Sequence, residues 1–298
     1  MPDPTPIISS LGRIATRQQL IASGCSGYDL TRAVRAGRIR RVRQARYATP
    51  DAPPDALAAT RVGGLVAGPS AAHSYGLWAG FDTRLHVSVG ANSSRLRTNI
   101  APGLLPPRRR LTPDSSGRSV VLHWLVGGAV PELGPECWRV SLSVCLRQMV
   151  EWSDPETAVA CLDTALSVQK LSRRKLMAFF ADASASDRLI ASQCRAGSDS
   201  GTESLARQRL EALGIAIRQQ VKISGVGRVD IGVVGTRIII EVDSRKHHDD
   251  PDAFERDRWR DAELVSRGYV VIRLSYLRVT ADWPWCVRTI TGAIVAQT

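Results

Sequence analysis

The stretch RVDIGVVGTRIIIEVDSRKHH, residues 228–248, decides how the C-terminal part of this chain is read. Two runs rich in Val and Ile flank Gly235 and Thr236, the pattern of two antiparallel strands joined by a tight turn. Asp230 is set into the first run, Glu241 and Asp243 into the second, and His247 and His248 follow. An unpaired carboxylate next to Ile238, Ile239 and Ile240 is costly to bury, so these acids call for a partner. A hairpin turning at Gly235 and Thr236 brings Asp230 and Glu241 to nearly the same level of a sheet. Glu241 and Asp243, two residues apart, share one face. Three acids converging at a sheet end repel one another unless a cation sits between them. A hard divalent ion prefers oxygen ligands, and Mg2+ (or Mn2+) is commonly held by one or two carboxylates. Such an ion activates water and offsets charge developing on a phosphodiester.

Outward from this stretch the periodicity gives a regular order. GTESLARQRLEALG, residues 201–214, predicts a helix stopped by Gly214. IAIRQQVKI, residues 215–223, predicts a strand ahead of the two already described. DPDAFERDRWRDAELVSRGY, residues 250–269, predicts a helix capped by Asp252 and stopped by Gly268. YVVIRL predicts a last strand and PWCVRTITGAIVAQ a closing helix. Glu203 stands three residues after Ser200, which makes either a capping box or a further metal ligand. Asp230 is either a ligand or an arginine partner. Asp243 is either a ligand or a supporting carboxylate. Asp257, Arg258, Arg260 and Asp261 form either an ion network orienting the acids or a salt-bridged solvent face.

This order and content resemble the PD-(D/E)XK nucleases. The closer resemblance is to the domain family related to very-short-patch-repair endonucleases. The residues that carry it are Arg228-Val229-Asp230, Glu241-Val242-Asp243-Ser244, His248, Phe254, Asp257-Arg258 and Arg260-Asp261. The resemblance implies an αβββαβ core, a divalent metal on Asp230 and Glu241 with Glu203, and DNA phosphodiester hydrolysis. Two departures bear on activity. The lysine position of the superfamily pattern holds Asp243, so His248 is the expected general acid/base, with Lys246 and His247 as lesser candidates. Ser244 stands where the family has Gly, which costs stability if the backbone there needs positive φ. A degenerate nuclease is the alternative.

At the other end, TRQQLIASG (residues 16–24) and SGYDLTRAVRAG (residues 26–37) predict two helices, and RIRRVRQARYATP (residues 38–50) a basic hairpin. Helix, turn, helix, hairpin is the order of a winged helix-turn-helix. Arg32, Arg35, Arg38, Arg40, Arg41, Arg43 and Arg46 crowd this segment against one acid, Asp29. They are either duplex-DNA contacts or a solvated basic face. The segment resembles the winged-helix domain of abortive-infection type IV antitoxins, which implies a toxin or defence-system partner.

Between them, SLSVCLRQMVEW, ETAVACLDTALSVQ and SRRKLMAFFADA read as amphipathic helices and RLHVSVG as a strand. GPSAAHSYGLWAG reads as a helix ending at Gly80, and APGLLPPRRRLTPDSSGR as a loop. His73, His86 and His123 are far apart in sequence and read as packed or surface residues. The expectation is a mixed α/β chain of three parts. Residues 1–54 form a winged helix-turn-helix, 55–195 a mixed, mostly helical middle similar to the connector between these two domain types, and 196–298 the nuclease-like core.

The 298 residues carry 40 Lys and Arg against 28 Asp and Glu. That surplus favours a polyanionic partner, nucleic acid before membrane, unless an arginine-preferring genome explains it. No apolar run approaches the ~20 residues that span a bilayer, and the first residues lack the signal-peptide pattern. The six cysteines show no C-x-x-C spacing, as expected of buried thiols in a reduced, cytoplasmic protein. The leading expectation is a DNA-binding, metal-dependent nuclease. The rival is a transcriptional regulator or antitoxin carrying a worn nuclease fold.

Overall fold

The computed structural model describes residues 2–94, 96, 109–113, 119–125, 136–243 and 251–297. The chain gathers into two compact units, residues 1–153 and 154–298. This division cuts through the stretch 55–195 that the sequence presents as one middle part.

The first unit begins with α1 (Pro4–Ser10), β1 (Ile14–Thr16), α2 (Arg17–Ala22), α3 (Gly27–Arg35), β2 (Arg40–Arg43) and β3 (Arg46–Ala48). Thr16 and Gln19 form a capping box that starts α2, and Ser26 and Asp29 form another that starts α3. The strands make a small antiparallel sheet in the order β1-β3-β2. Its core is Ile8, Ala15, Leu20, Leu30, Ala33, Ile39 and Tyr47. α2, α3 and the β2–β3 hairpin follow in the order expected from the sequence, while α1 and β1 ahead of them were not foreseen there.

The unit continues with α4 (Pro54–Val62), β4 (Leu65–Val66), α5 (Gly68–Ser74), β5 (Leu85–Val89), β6 (Arg109–Pro113), β7 (Ser119–Trp124) and α6 (Leu142–Trp152). The sheet order is β4-β5-β7-β6, with β5 and β7 parallel and the outer strands antiparallel to their neighbours. Two expectations change here. Residues 109–113 lie within the proline-rich run read as a loop, yet they pair with β7. A sheet edge recruits backbone whatever the local propensity. Helix α5 stops at Ser74 rather than near Gly80, because Gly76 takes φ +74 and the Tyr75 hydroxyl donates to the Val140 carbonyl at 2.9 Å. The histidines are packed or on the surface, as the sequence suggests, but two of them meet rather than standing isolated. His73 is exposed, but His86 and His123 are buried on neighbouring strands with Nδ1 and Nε2 3.1 Å apart. Asp82 holds the other nitrogen of His86 at 3.0 Å, and His123 stacks on Trp152. Parallel pairing of β5 and β7 brings together these two histidines, 37 apart in sequence.

The second unit runs α7 (Pro155–Val168), α8 (Arg173–Ala178), α9 (Ala185–Ser192), α10 (Gly201–Ala212), β8 (Ile217–Ile223), β9 (Gly227–Val233), β10 (Ile238–Asp243), α11 (Pro251–Ser266), β11 (Val270–Ser275), α12 (Tyr276–Ala281) and α13 (Trp283–Val295). From α10 to β11 this is the αβββαβ order expected from the sequence. β8, β9 and β10 form an antiparallel meander. α11 is the crossover that lets β11 pair parallel to β10, giving the order β11-β10-β9-β8. α7 is buried along its whole middle rather than amphipathic, because α8, α9 and α10 all pack on it. Asp163 of α7 is fully buried and accepts from Arg207 Nη2 at 3.0 Å, Ser204 Oγ at 2.7 Å and the Arg195 backbone at 2.7 Å.

All six cysteines are buried thiols. Among the described residues no helix is long and apolar enough to cross a membrane.

Breaking the Asp163 network takes from buried Arg207 its one fully buried carboxylate partner and leaves only Glu211, at 2.9 Å, to offset its charge. Asp163→Ala is therefore expected to lower stability by about 3–5 kcal/mol. Chemical denaturation should show this loss, whereas Arg195→Ala, on the exposed rim, should cost under about 1 kcal/mol.

Candidate active site

Strand pairing sets the centre. Gly232 faces Ile239 and Ile231 faces Ile240 across β9 and β10. Continuing that register places Asp230 opposite Glu241, as the turn at Gly235 and Thr236 requires. The Asp230 carboxylate accepts the Val242 N–H at 2.9 Å, so its side chain closes the end of the ladder. Asp230 is half-buried, and Glu241 is 7% exposed.

Glu203 comes from the first turn of α10 and is 6% exposed. Ser200 Oγ caps the helix by accepting the Glu203 N–H at 3.2 Å. The reciprocal half of a capping box is not made with Ser200. Glu203 Oε2 instead accepts the Asp199 N–H at 2.9 Å and Gln220 Nε2 at 3.2 Å. The glutamate is thus turned away from a purely helix-starting role and tied to the sheet.

Burial raises the Glu203 carboxyl to about 7, and the negative charge of Asp230 adds to the shift. Burial also raises Glu241, to about 8, again with help from Asp230 and against the pull of Arg260. Both glutamates therefore feel Asp230. The donor set is all carboxylate oxygen, which suits a hard divalent cation. Added positive charge would offset the Asp230 charge, which adds to the upward shift that burial causes in both glutamates. Among the described residues, however, no three His, Cys, Asp or Glu side chains are gathered closely enough to hold an ion as they stand.

Two arginines surround the acids. Arg260 of α11 donates Nη2 to Glu241 Oε1 and to the Arg228 carbonyl, both at 2.5 Å. Its Nε is buried and has no hydrogen-bond partner among the described residues. Arg273 of β11 makes a bidentate pair with Asp261, at 2.9 and 2.8 Å, and reaches Asp243 at 3.3 Å. Asp261 raises the Arg273 pKa further, so this cation is fixed. Arg260 and Asp261 thus belong to a network that reaches the acids. Arg258 is exposed on α11. Ser244, Lys246, His247 and His248 lie outside the described residues, as does the side chain of Asp257.

Sequence reasoning missed two residues. Arg273 was legible as the one charge within YVVIRL. Gln220 was not, because it sits at an ordinary polar position of IRQQVKI. In the fold it has φ +51, a left-handed conformation uncommon for a side-chain-bearing residue. Its neighbours pair normally, Gln219 with Ile231 and Val221 with Val229, so Gln220 falls level with Asp230 while donating to Glu203.

In the first unit, α3 exposes Tyr28, Thr31, Arg32 and Arg35 around a shallow hollow. Tyr28 and Thr31 add hydrogen-bonding and stacking capacity that the arginine count did not show. Arg38 pairs with Asp3 at 3.2 Å, Arg40 donates to the Pro50 carbonyl at 3.0 Å, and Arg41 is exposed. Arg43 and Arg46 are half-buried. Arg43 donates to the Arg61 and Val62 carbonyls at the end of α4.

Comparison with known proteins finds one family match within each unit. Residues 203–294 match the restriction-endonuclease-like family model REase_MTES_1575. Residues 5–47 match the family of AbiEi antitoxin transcriptional regulators. The chain thus carries an AbiEi-type regulator domain at its N-terminus and an endonuclease-like domain at its C-terminus. Among solved structures, the catalytic domain of homing endonuclease I-Bth0305I is similar, with 20% identity and a TM-score of 0.28. That alignment covers 32% of this chain and 94% of the other. No curated protein matches the chain.

The raised glutamates have a thermodynamic consequence. Each has a folded pKa above its unfolded value, so its neutral form stabilises the fold at low pH. That contribution is lost as pH rises from about 5 to about 8. In chelator, melting temperature is expected to fall across this window, and Glu203→Gln or Glu241→Gln should flatten the slope. An unchanged slope in both variants would show that the two acids do not carry it.

Proposed function

We propose that the chain is a DNA-binding protein whose C-terminal part hydrolyses DNA phosphodiester bonds with the help of Mg2+ or Mn2+. The observation that carries this reading is the joint placement of Glu203, Asp230 and Glu241. Two buried glutamates stand on either side of one aspartate, and burial together with its charge pushes their carboxyls upward in pKa. Asp230 and Glu241 would hold the ion, with Glu203 completing the set. Bound there, a divalent ion supplies the positive charge that makes water nucleophilic and offsets charge on the phosphate.

The chain's own groups do the rest. The Val242 N–H fixes Asp230. Arg260 favours the ionised form of Glu241 and stands as the nearest cation to it. It takes over the electrostatic part of the lysine that Asp243 replaces. His248 is the proposed general acid/base, since imidazole titrates near neutrality. The N-terminal segment, residues 1–54, acts as a winged helix-turn-helix. α3 enters the major groove of duplex DNA and the β2–β3 hairpin is the wing. Residues 55–195 join it to the nuclease-like part, residues 196–298. A reduced cytoplasmic setting suits the six buried thiols.

The second reading is a transcriptional regulator or type IV antitoxin-like protein with a degenerate very-short-patch-repair-like domain and a toxin or defence-system partner. The observation favouring it is Asp243, which faces Arg273 rather than presenting a cation to substrate.

Supercoiled and linear DNA incubated with EDTA, Mg2+ or Mn2+ separates the two. The nuclease reading expects metal-dependent nicking that Asp230→Ala and Glu241→Ala abolish. Arg260→Gln should slow it by about 100-fold, with partial recovery in Arg260→Lys. Binding without cleavage under every condition supports the regulator. For α3, the double change Arg32→Ala with Arg35→Ala should weaken duplex binding. Where both contact phosphate, the slope of log affinity against log salt should fall by roughly 1.8. Fluorescence anisotropy across a salt series measures it.

A further inference from the structure

A cavity of about 560 Å3 opens in the first unit beside the turn of the β2–β3 hairpin. Arg17, Arg43 and Arg46 line it, together with Gly63, Gly64 and Ser88, and its described lining includes no Asp or Glu. The volume lies within the range of small-molecule sites. The three arginines come from different elements: the start of α2, the end of β2 and the start of β3. Their convergence is therefore a product of the fold rather than of one basic run.

The geometry holds them there. The pairing of β2 with β3 shifts between Arg41 and Arg43, an irregularity that re-aims the strand end. Ala45 takes φ +57 to turn the hairpin, and the Ala45 carbonyl accepts the Arg17 N–H at 2.8 Å. Arg43 is anchored on the last carbonyls of α4. Gly63, at φ +113, leaves room for that guanidinium, since a Cβ there would collide with Arg43 Nη1. Among the described residues the guanidiniums of Arg17 and Arg46 carry no hydrogen bond or ion pair. A concave wall with three cations and no acid is self-repelling when empty and complementary to a compact polyanion.

We propose that this cavity binds a small phosphate-bearing anion of nucleotide size, at a site separate from the exposed face of α3 and from the carboxylates of the second unit. Two of its three cations lie on the β2–β3 hairpin, so occupancy neutralises arginines beside the face expected to meet DNA. Binding of the anion and of duplex DNA is then mutually unfavourable, and by linkage each weakens the other by the same factor.

Calorimetric titration of the full chain with ATP, AMP, inorganic phosphate and uncharged adenosine, at about 0.15 M salt to screen diffuse attraction, tests the site. At least one phosphate-bearing probe should bind saturably at one per chain, and adenosine should not bind. Arg17→Gln or Arg46→Gln should each weaken that probe by roughly tenfold, Arg46→Lys by less, and Arg32→Gln should leave it unchanged. In the wild-type chain, amide exchange should slow at residues 43–46 and 60–65 when the probe is added, a readout that needs no variant to fold. Absence of binding by every phosphate probe overturns the proposal. Equal weakening by Arg32→Gln overturns it too, because the attraction is then diffuse. So does a wild-type chain that binds no nucleotide while Arg17→Gln and Arg46→Gln weaken duplex binding, which makes the cavity a seat for a DNA phosphate. None of these outcomes depends on whether the chain cuts DNA.

Discussion

Burying Glu203 and Glu241 on either side of Asp230 is the constraint around which the second unit is arranged. A carboxylate placed among apolar strands costs several kcal/mol unless it is protonated or paired. The fold uses both remedies. The glutamates are pushed upward in pKa, toward the neutral form. Asp230 is held by a backbone N–H. Glu203 receives an N–H from Asp199 and the Gln220 amide, and Glu241 receives Arg260. Take away the strand register that sets Asp230 opposite Glu241 and the contacts made by those two residues lose their setting.

The same constraint explains why the cations come from where they do. Glu241 and Asp243 stand on β10, the strand between β9 and β11. The crossover through α11 brings Arg260 over one acid, and parallel pairing puts Arg273 directly beside Glu241 in the ladder. The guanidiniums are rigid and always charged, and Arg273 makes a planar double contact with Asp261. A lysine on β10 would carry its charge on a flexible stem. Arginines reaching in from α11 and β11 give the acids a cationic border fixed by tertiary packing.

How much of this the sequence disclosed depends on whether a signal is local. The order αβββαβ was legible because strand and helix periods alternate cleanly from Gly201 onward. Asp230 and Glu241 were legible because a two-residue turn fixes their level. The Gln220 conformation was not, since nothing in IRQQVKI marks one glutamine as special. β6 was hidden by the proline-rich run around it, because an edge strand is chosen by its neighbour. The His86–His123 contact was hidden for the same reason: a parallel pair joins residues that no local window contains. α7 misled in another way. Its acid, Asp163, looks like a solvated position, but Arg207 and Ser204 accompany it into the interior.

The arginine surplus and the acidic centre pose one last question of physics. On the proposed reading both act on the same polyanion, yet they act with opposite sign. A net charge of +12 draws DNA toward the chain over distances of about a Debye length, roughly 8 Å at physiological salt. Close in, three carboxylates repel a phosphate. Protonating Glu203 and Glu241 softens that repulsion but leaves no strong anionic site for a cation. Ionising them creates the site and restores the repulsion. A divalent ion resolves the conflict only if it arrives with the ionised acids. The basic surface would then govern encounter, and the charge state of two buried glutamates would govern whether encounter leads to chemistry.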